Sequence, residues 1–229
     1  MESHLVVDEK NSLLEVRKQR AKQALPVRII AKVISYLFHP LFIPVYLCWL
    51  IVKTQSYLFG SFSEWEKTIF VVRFGVMYAF FPLVSVLLLK ALKFISPIQL
   101  KTQRDRIIPY VICMIYYWWM WYVLHNQPQY PGEFVQLSFA IFLASIGGLM
   151  ANISMKVSMH AIAAGVGIAF VMLLGFSQDL NFGVYISGSI LLTGAICTAR
   201  FIDSDHTPKE IYVGLFIGVG ALLLALPFA

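Results

Sequence analysis

An arginine, a histidine and a carboxylate fall at a chemically useful spacing in Arg200-Phe-Ile-Asp203-Ser-Asp205-His206-Thr-Pro-Lys209-Glu210. If 206–210 open a helix, His206 and Glu210 lie on one face at i and i+4, and the carboxylate can hold the imidazole in a single tautomer. A neutral imidazole nitrogen held in this way can attack phosphorus and form a phosphohistidine, which splits one difficult displacement into two easier ones. Two further polar clusters come earlier in the chain, Lys101-Thr-Gln-Arg104-Asp105-Arg106-Ile-Ile-Pro109 and Lys156-Val-Ser158-Met-His160. His160 can protonate a departing oxygen and later activate water. Lys101, Arg106 and Arg200 can bind phosphoryl oxygens through charge-assisted hydrogen bonds, bidentate for arginine. Ser158 and the free amides at the start of the helix after it add donors.

The elements that must position these groups are set by composition. Of 229 residues, 59% are hydrophobic and 13% charged, and the mean hydropathy is +0.74. A soluble domain carries about 25% charged residues, so a soluble globular protein is excluded. Apolar runs at about 29–52, 69–92, 107–124, 134–153, 158–176, 182–199 and 211–228 each approach the length of a membrane span. The expected fold is all-α, a polytopic membrane helical bundle of six to seven transmembrane helices. A polar tail, 1–28, expected as a short surface helix, precedes a single integral membrane domain at 29–229. His39, Pro40 and Pro44 predict a kink in the first run. A hairpin at 107–153 that dips into the bilayer instead of crossing it lowers the count to six.

Two spans separate the first polar cluster from the second, and two separate the second from the third, so all three meet one membrane face. With seven crossings, 15 of the 18 lysines and arginines share the side of the tail, and only Lys53, Lys67 and Arg73 lie opposite. Nine against three remain when Lys101, Arg104, Arg106, Lys156, Arg200 and Lys209 are set aside as site residues. The positive-inside rule then puts the tail and the site on the cytoplasmic face. All 12 acidic residues lie in the tail, in loops or at span ends, which argues against a proton-coupled transporter with carboxylates at membrane depth.

The three clusters together resemble the type 2 phosphatidic acid phosphatase superfamily, whose members carry Lys-x6-Arg-Pro, Pro-Ser-Gly-His and Ser-Arg-x5-His-x3-Asp. The third motif stands here as Ala199-Arg200-x5-His206-x3-Glu210 and the second as Val157-Ser158-Met159-His160. In the first, Lys101 precedes Arg106 by five residues, and Pro109 follows late. The resemblance covers about 95–228, the phosphatase-like core. It implies a metal-independent hydrolase of a lipid phosphate or diphosphate, with no cofactor, in a bacterial cytoplasmic membrane. His206 would be the nucleophile, Glu210 its orienting carboxylate, His160 the general acid, and Lys101, Arg106, Ser158 and Arg200 the phosphate ligands. Arg104 competes with Arg106 for one of those roles. Lipid-directed members commonly face the outside of the membrane, against the charge count here. The departures at Lys101, Met159 and Glu210 motivate an alternative, a non-catalytic phospholipid-binding or transport protein of the same fold.

Plainer readings stand beside these. The third cluster can be a solvated loop, and Ser158 a helix cap. Asp203, Asp205 and His206 include metal-ligand types, but no further cluster completes a coordination shell, so no metal is expected. The expected partners are a lipid phosphate substrate and membrane lipids. The net charge of +6 is scattered over loops and does not point to nucleic acid. Cys48, Cys113 and Cys197 lie within apolar runs with no paired spacing. His39 reads as a packed or interfacial residue. The run Tyr116-Tyr-Trp-Trp-Met-Trp-Tyr122 reads as an interfacial aromatic belt, and Arg73 as a snorkelling charge.

Overall fold

The computed structural model describes residues 3–7, 13–17, 23–94, 103–177, 181–203 and 206–228. Nine α-helices are found among the described residues: α1 (Leu25–Leu37), α2 (Ile43–Thr54), α3 (Glu64–Gly75), α4 (Phe81–Ala91), α5 (Gln103–His125), α6 (Gly132–Ser154), α7 (Met159–Ser177), α8 (Gly183–Asp203) and α9 (Pro208–Ala225). One π-turn, Val76–Phe80, joins α3 to α4 without a break, and short 3-10 turns cover Ser56–Phe59 and Leu226–Phe228. The architecture is an all-α helical bundle of a membrane protein. Six helical stretches are long and apolar enough to cross a bilayer: Glu64–Ala91, Asp105–His125, Gly132–Ser154, Met159–Ser177, Gly183–Asp203 and Pro208–Phe228.

The first apolar run departs from the expected single span. Pro40 has no N–H to donate, and its ring disfavours helical backbone at His39, so the run breaks into α1 and α2. With 13 and 12 residues, the two pieces extend about 20 Å and 18 Å, each short of a hydrocarbon core of about 30 Å. The 107–153 hairpin, by contrast, forms two full helices of 23 residues each. Reduction to six long helices therefore comes from the first run. The tail also differs from the expected surface helix, because Ser3–Val7 (β1) pairs antiparallel with Leu13–Arg17 (β2). Both strands are rich in leucine and valine, which suit a pleated strand better than a polar surface helix.

Within the bundle, α7 packs on α8 and α9, α6 on α5 and α9, α1 on α8, and α2 on α3 and α7. Small residues control how close the central helices come. Gly214 and Gly218 stand four apart on one face of α9. A Cβ at 214 would lie 2.8 Å from the Ser158 carbonyl oxygen, and one at 218 would collide with the Ile162 carbonyl. Backbone thus meets backbone along α7 and α9, and the first turn of α9 is drawn against the start of α7.

Candidate active site at one end of the bundle

Four helix ends converge where α5, α7 and α9 begin and α8 terminates. The connection after α6 runs through Lys156 and Val157 to Ser158, which caps α7. Its Oγ accepts from the Ala161 amide at 3.4 Å, and its carbonyl accepts from the Ile162 amide at 3.1 Å. The Ser158 amide donates to the Glu210 carbonyl at 3.2 Å, tying α7 to α9. Arg106, in the first turns of α5, is buried and donates through Nη1 to the Val157 carbonyl at 2.7 Å. Asn152 Nδ2 donates to the Gln103 carbonyl at 2.8 Å, fastening the end of α6 to the start of α5. Arg200 is half-buried in the last turn of α8, where a cation also suits the helix dipole.

His206 lies just before α9 and is only 3% exposed, and Glu210 is 4% exposed. The two side chains meet at 3.2 Å between Nδ1 and Oε2. A carboxylate accepts, so Nδ1 carries the proton and Nε2 is the unprotonated nitrogen of the neutral ring. The same Oε2 accepts from the Thr207 amide at 2.9 Å, while Thr207 Oγ1 accepts from the Glu210 amide at 3.2 Å. Glu210 therefore completes a capping box and orients the imidazole with one carboxylate oxygen. Burial lowers the His206 pKa from its usual value near 6.5, and the charges of Arg106 and Arg200 lower it further. The hydrogen bond and charge of Glu210 act the other way without reversing the direction. The result is a neutral imidazole beside two guanidinium groups.

His160, in the first turn of α7, faces α1: its Nε2 lies 3.0 Å from the Ser35 carbonyl oxygen. The rings of His160 and His39 are 5.4 Å apart and nearly perpendicular. Arg200, His39 and His206 all lie within electrostatic reach of His160.

Six of the seven residues singled out from the sequence thus gather at one end of the bundle: Arg106, Ser158, His160, Arg200, His206 and Glu210. Lys101 lies outside the described residues. Arg104 falls on α5 with its side chain outside the described residues, and Arg106 reaches the start of α7. Ser158 serves as the helix cap that the plainer reading allowed. His39 and the Ser35 carbonyl are additions. The signal for His39 was a polar ring next to proline inside an apolar run, whereas a backbone carbonyl leaves no signal in residue type. Thr207 is also an addition, and the Thr-x-x-Glu pattern that marks a capping box was available to find it. Among the described residues no cluster of His, Cys, Asp or Glu could hold a metal ion. No family model, curated protein or solved structure matches the chain.

Proposed function

We propose that this protein is an integral membrane phosphatase that hydrolyses a lipid phosphate or diphosphate through a phosphohistidine intermediate. The observation that carries this reading is the pair His206–Glu210, buried and joined through Nδ1, with the fields of Arg106 and Arg200 acting on the same ring. In the first step the Nε2 lone pair attacks phosphorus and the bond from phosphorus to the leaving oxygen breaks. His160 is the group that gives this oxygen a proton and then takes one from water. That water attacks phosphorus, the N–P bond breaks, and phosphate departs with the histidine restored. Arg106 and Arg200 offset the charge gathered on the phosphoryl oxygens. The resemblance to the type 2 phosphatidic acid phosphatases supports the same assignment and extends the phosphate ligands to Ser158 and Lys101. The excess of lysine and arginine supports a site on the cytoplasmic face provided that α1 and α2 together carry the chain across once, which keeps the tail on the side of the site.

The test is phosphate release by purified protein in detergent from a panel of lipid mono- and diphosphates, with chelator present and His206→Ala as control. Release that survives chelator and disappears in the variant is the expected result. Folded protein that binds lipid phosphate but releases none overturns it in favour of a binding or transport protein. The burial of His206 is the observation that favours this second reading.

A further inference from the structure

The broken first run bears directly on the site. A helix leaves its last four carbonyls without intrahelical donors. In α1 the Ile34 carbonyl accepts from the Phe38 amide at 2.9 Å, and the Leu37 carbonyl accepts from Tyr46 Oη at 3.0 Å. Continued helix would supply the Ser35 carbonyl with the His39 amide. The break before Pro40 removes that donor, and Ser35 O lies instead against His160 Nε2 at 3.0 Å. Because a carbonyl can only accept, Nε2 must carry a proton, and Nδ1 is the nitrogen left to exchange protons.

His39 fixes the other part of this arrangement. Its Nδ1 accepts from the Leu41 amide at 3.4 Å, and its carbonyl accepts from the Phe42 amide at 2.8 Å, so the ring is held to the backbone of the break. That ring meets His160 edge to face at 5.4 Å and 80°. Among the described residues, the charged or titratable groups whose fields reach His160 are Arg200 from α8, His206 from the connection to α9, and His39 itself. None is a carboxylate, so orientation of His160 falls to a carbonyl and a neighbouring ring.

We propose that His39, together with the Ser35 carbonyl, is a positioning element for His160, setting Nδ1 as the nitrogen that transfers protons to and from the phosphate site. This rests on the reading of the site as a phosphatase. It adds the α1–α2 break, which lies outside all three polar clusters, to the working parts. Protonated Nδ1 passes its proton to the leaving oxygen, neutral Nδ1 takes one from the attacking water, and the other proton stays on Nε2, donated to the Ser35 carbonyl throughout. His39 touches neither substrate nor reacting atoms in this scheme.

The experiment compares full-length wild type with His39→Phe and His39→Gln in detergent micelles. Phosphate release from phosphatidate and from a polyprenyl diphosphate is followed across pH. Ring 15N resonances of histidine-labelled protein are recorded in parallel, with His160 assigned by its loss in His160→Gln. His39→Phe keeps a flat ring and loses the tether to Leu41. It is expected to lower kcat about 100-fold, the scale of a small misplacement of a catalytic group, with KM changed less than about three-fold. Its pH profile is expected to shift, and His160 should lose the single tautomer protonated at Nε2. His39→Gln retains polar atoms near the break and is expected to restore part of kcat. Unchanged kcat, pH profile and His160 tautomer in His39→Phe overturn the proposal. If wild type releases no phosphate from either lipid, the phosphatase reading fails. In that case the His160 tautomer in wild type and in His39→Phe still decides whether His39 positions the ring. Should His39→Phe not fold, the same readouts in His39→Gln decide, an unaltered His160 tautomer counting against the proposal.

Discussion

The two ends of the bundle are held together by different means. At the site end, polar side chains meet helix-terminal backbone groups: Arg106 on Val157, His160 on Ser35, Glu210 on Thr207, and Ser158 on its own helix. At the opposite end α3 has a capping box of its own, Ser63 with Glu66, but the helices meet there mainly through aromatic rings. Phe134 lies 5.5 Å from Phe59 and 5.0 Å from Phe70, and Phe70 stacks on Tyr130 at 5.0 Å. Phe74 and Tyr78 stack at 4.2 Å deeper in the same cluster. Aromatic packing fills space without demanding particular charges or tautomers. The polar end depends on where its protons sit, because the hydrogen bonds of His160 and His206 each fix a tautomer. The aromatic end should therefore govern stability, and the polar end chemistry.

The strongest way to break this division is at His206, the proposed nucleophile. His206→Ala should reduce phosphate release at least about a thousand-fold, since removing one member of a catalytic unit costs nearly as much as removing the whole. The folded fraction should remain close to wild type by size-exclusion chromatography and circular dichroism. Substantial loss of fold in this variant would show that the polar end is structural as well.

The converse test is Phe134→Ala at the far end. Phe134 is fully buried among Phe59, Phe70 and Phe74, and its removal should cost about 3 kcal/mol of stability. Thermal or denaturant unfolding in detergent measures that loss. The molecules still folded should retain kcat within about three-fold. A larger fall in kcat at unchanged folded fraction would join the two ends energetically.

How much of this division the sequence reveals depends on the kind of interaction. Long apolar runs mark α5 to α9 within a few residues, because burial in lipid requires length and composition alone. The order of the three polar clusters and the even number of spans between them place Arg106, Ser158, His160, Arg200, His206 and Glu210 at one end. The first run is harder, because proline marks where a helix is disturbed without saying whether it kinks or stops. Once it stops, the orphaned Ser35 carbonyl reaches His160 across 125 residues of sequence, with the His39 ring beside it, beyond any local pattern. Glu210 illustrates a different loss, since two functions share one side chain. Its spacing from His206 reads as orientation, while its spacing from Thr207 is also that of a capping box.

That double duty can be separated. Glu210→Gln keeps an oxygen able to accept from the Thr207 amide but removes the carboxylate charge facing His206. It should lower kcat about 100-fold, in the range for disturbed acid–base machinery, while leaving unfolding nearly unchanged. Glu210→Ala should lower kcat and also destabilise α9 by about 1 kcal/mol, the typical cost of a lost helix cap. Equal loss of stability in the two variants would mean that the charge, more than the capping geometry, holds the turn.

The smallest expected effect is on pH dependence, and its sign distinguishes the cations from the carboxylate. Burial, Arg106 and Arg200 lower the folded-state pKa of His206 below 6.5. The His206 contribution to the acid limb of kcat/KM should therefore lie below pH 6.5, because the neutral nucleophile persists in acid where a free histidine would be protonated. Arg200→Gln should move that contribution to higher pH by removing one of the depressing charges. The same shift governs stability. Between the folded-state and unfolded-state pKa values the unfolded chain binds more protons, so the stability contributed by neutral His206 is present above pH 6.5 and is lost as pH falls through the folded pKa. Melting temperatures at pH 5 and pH 7.5 should differ more in wild type than in His206→Gln, which removes the titrating group. An equal difference in both proteins would place the acid sensitivity elsewhere in the bundle.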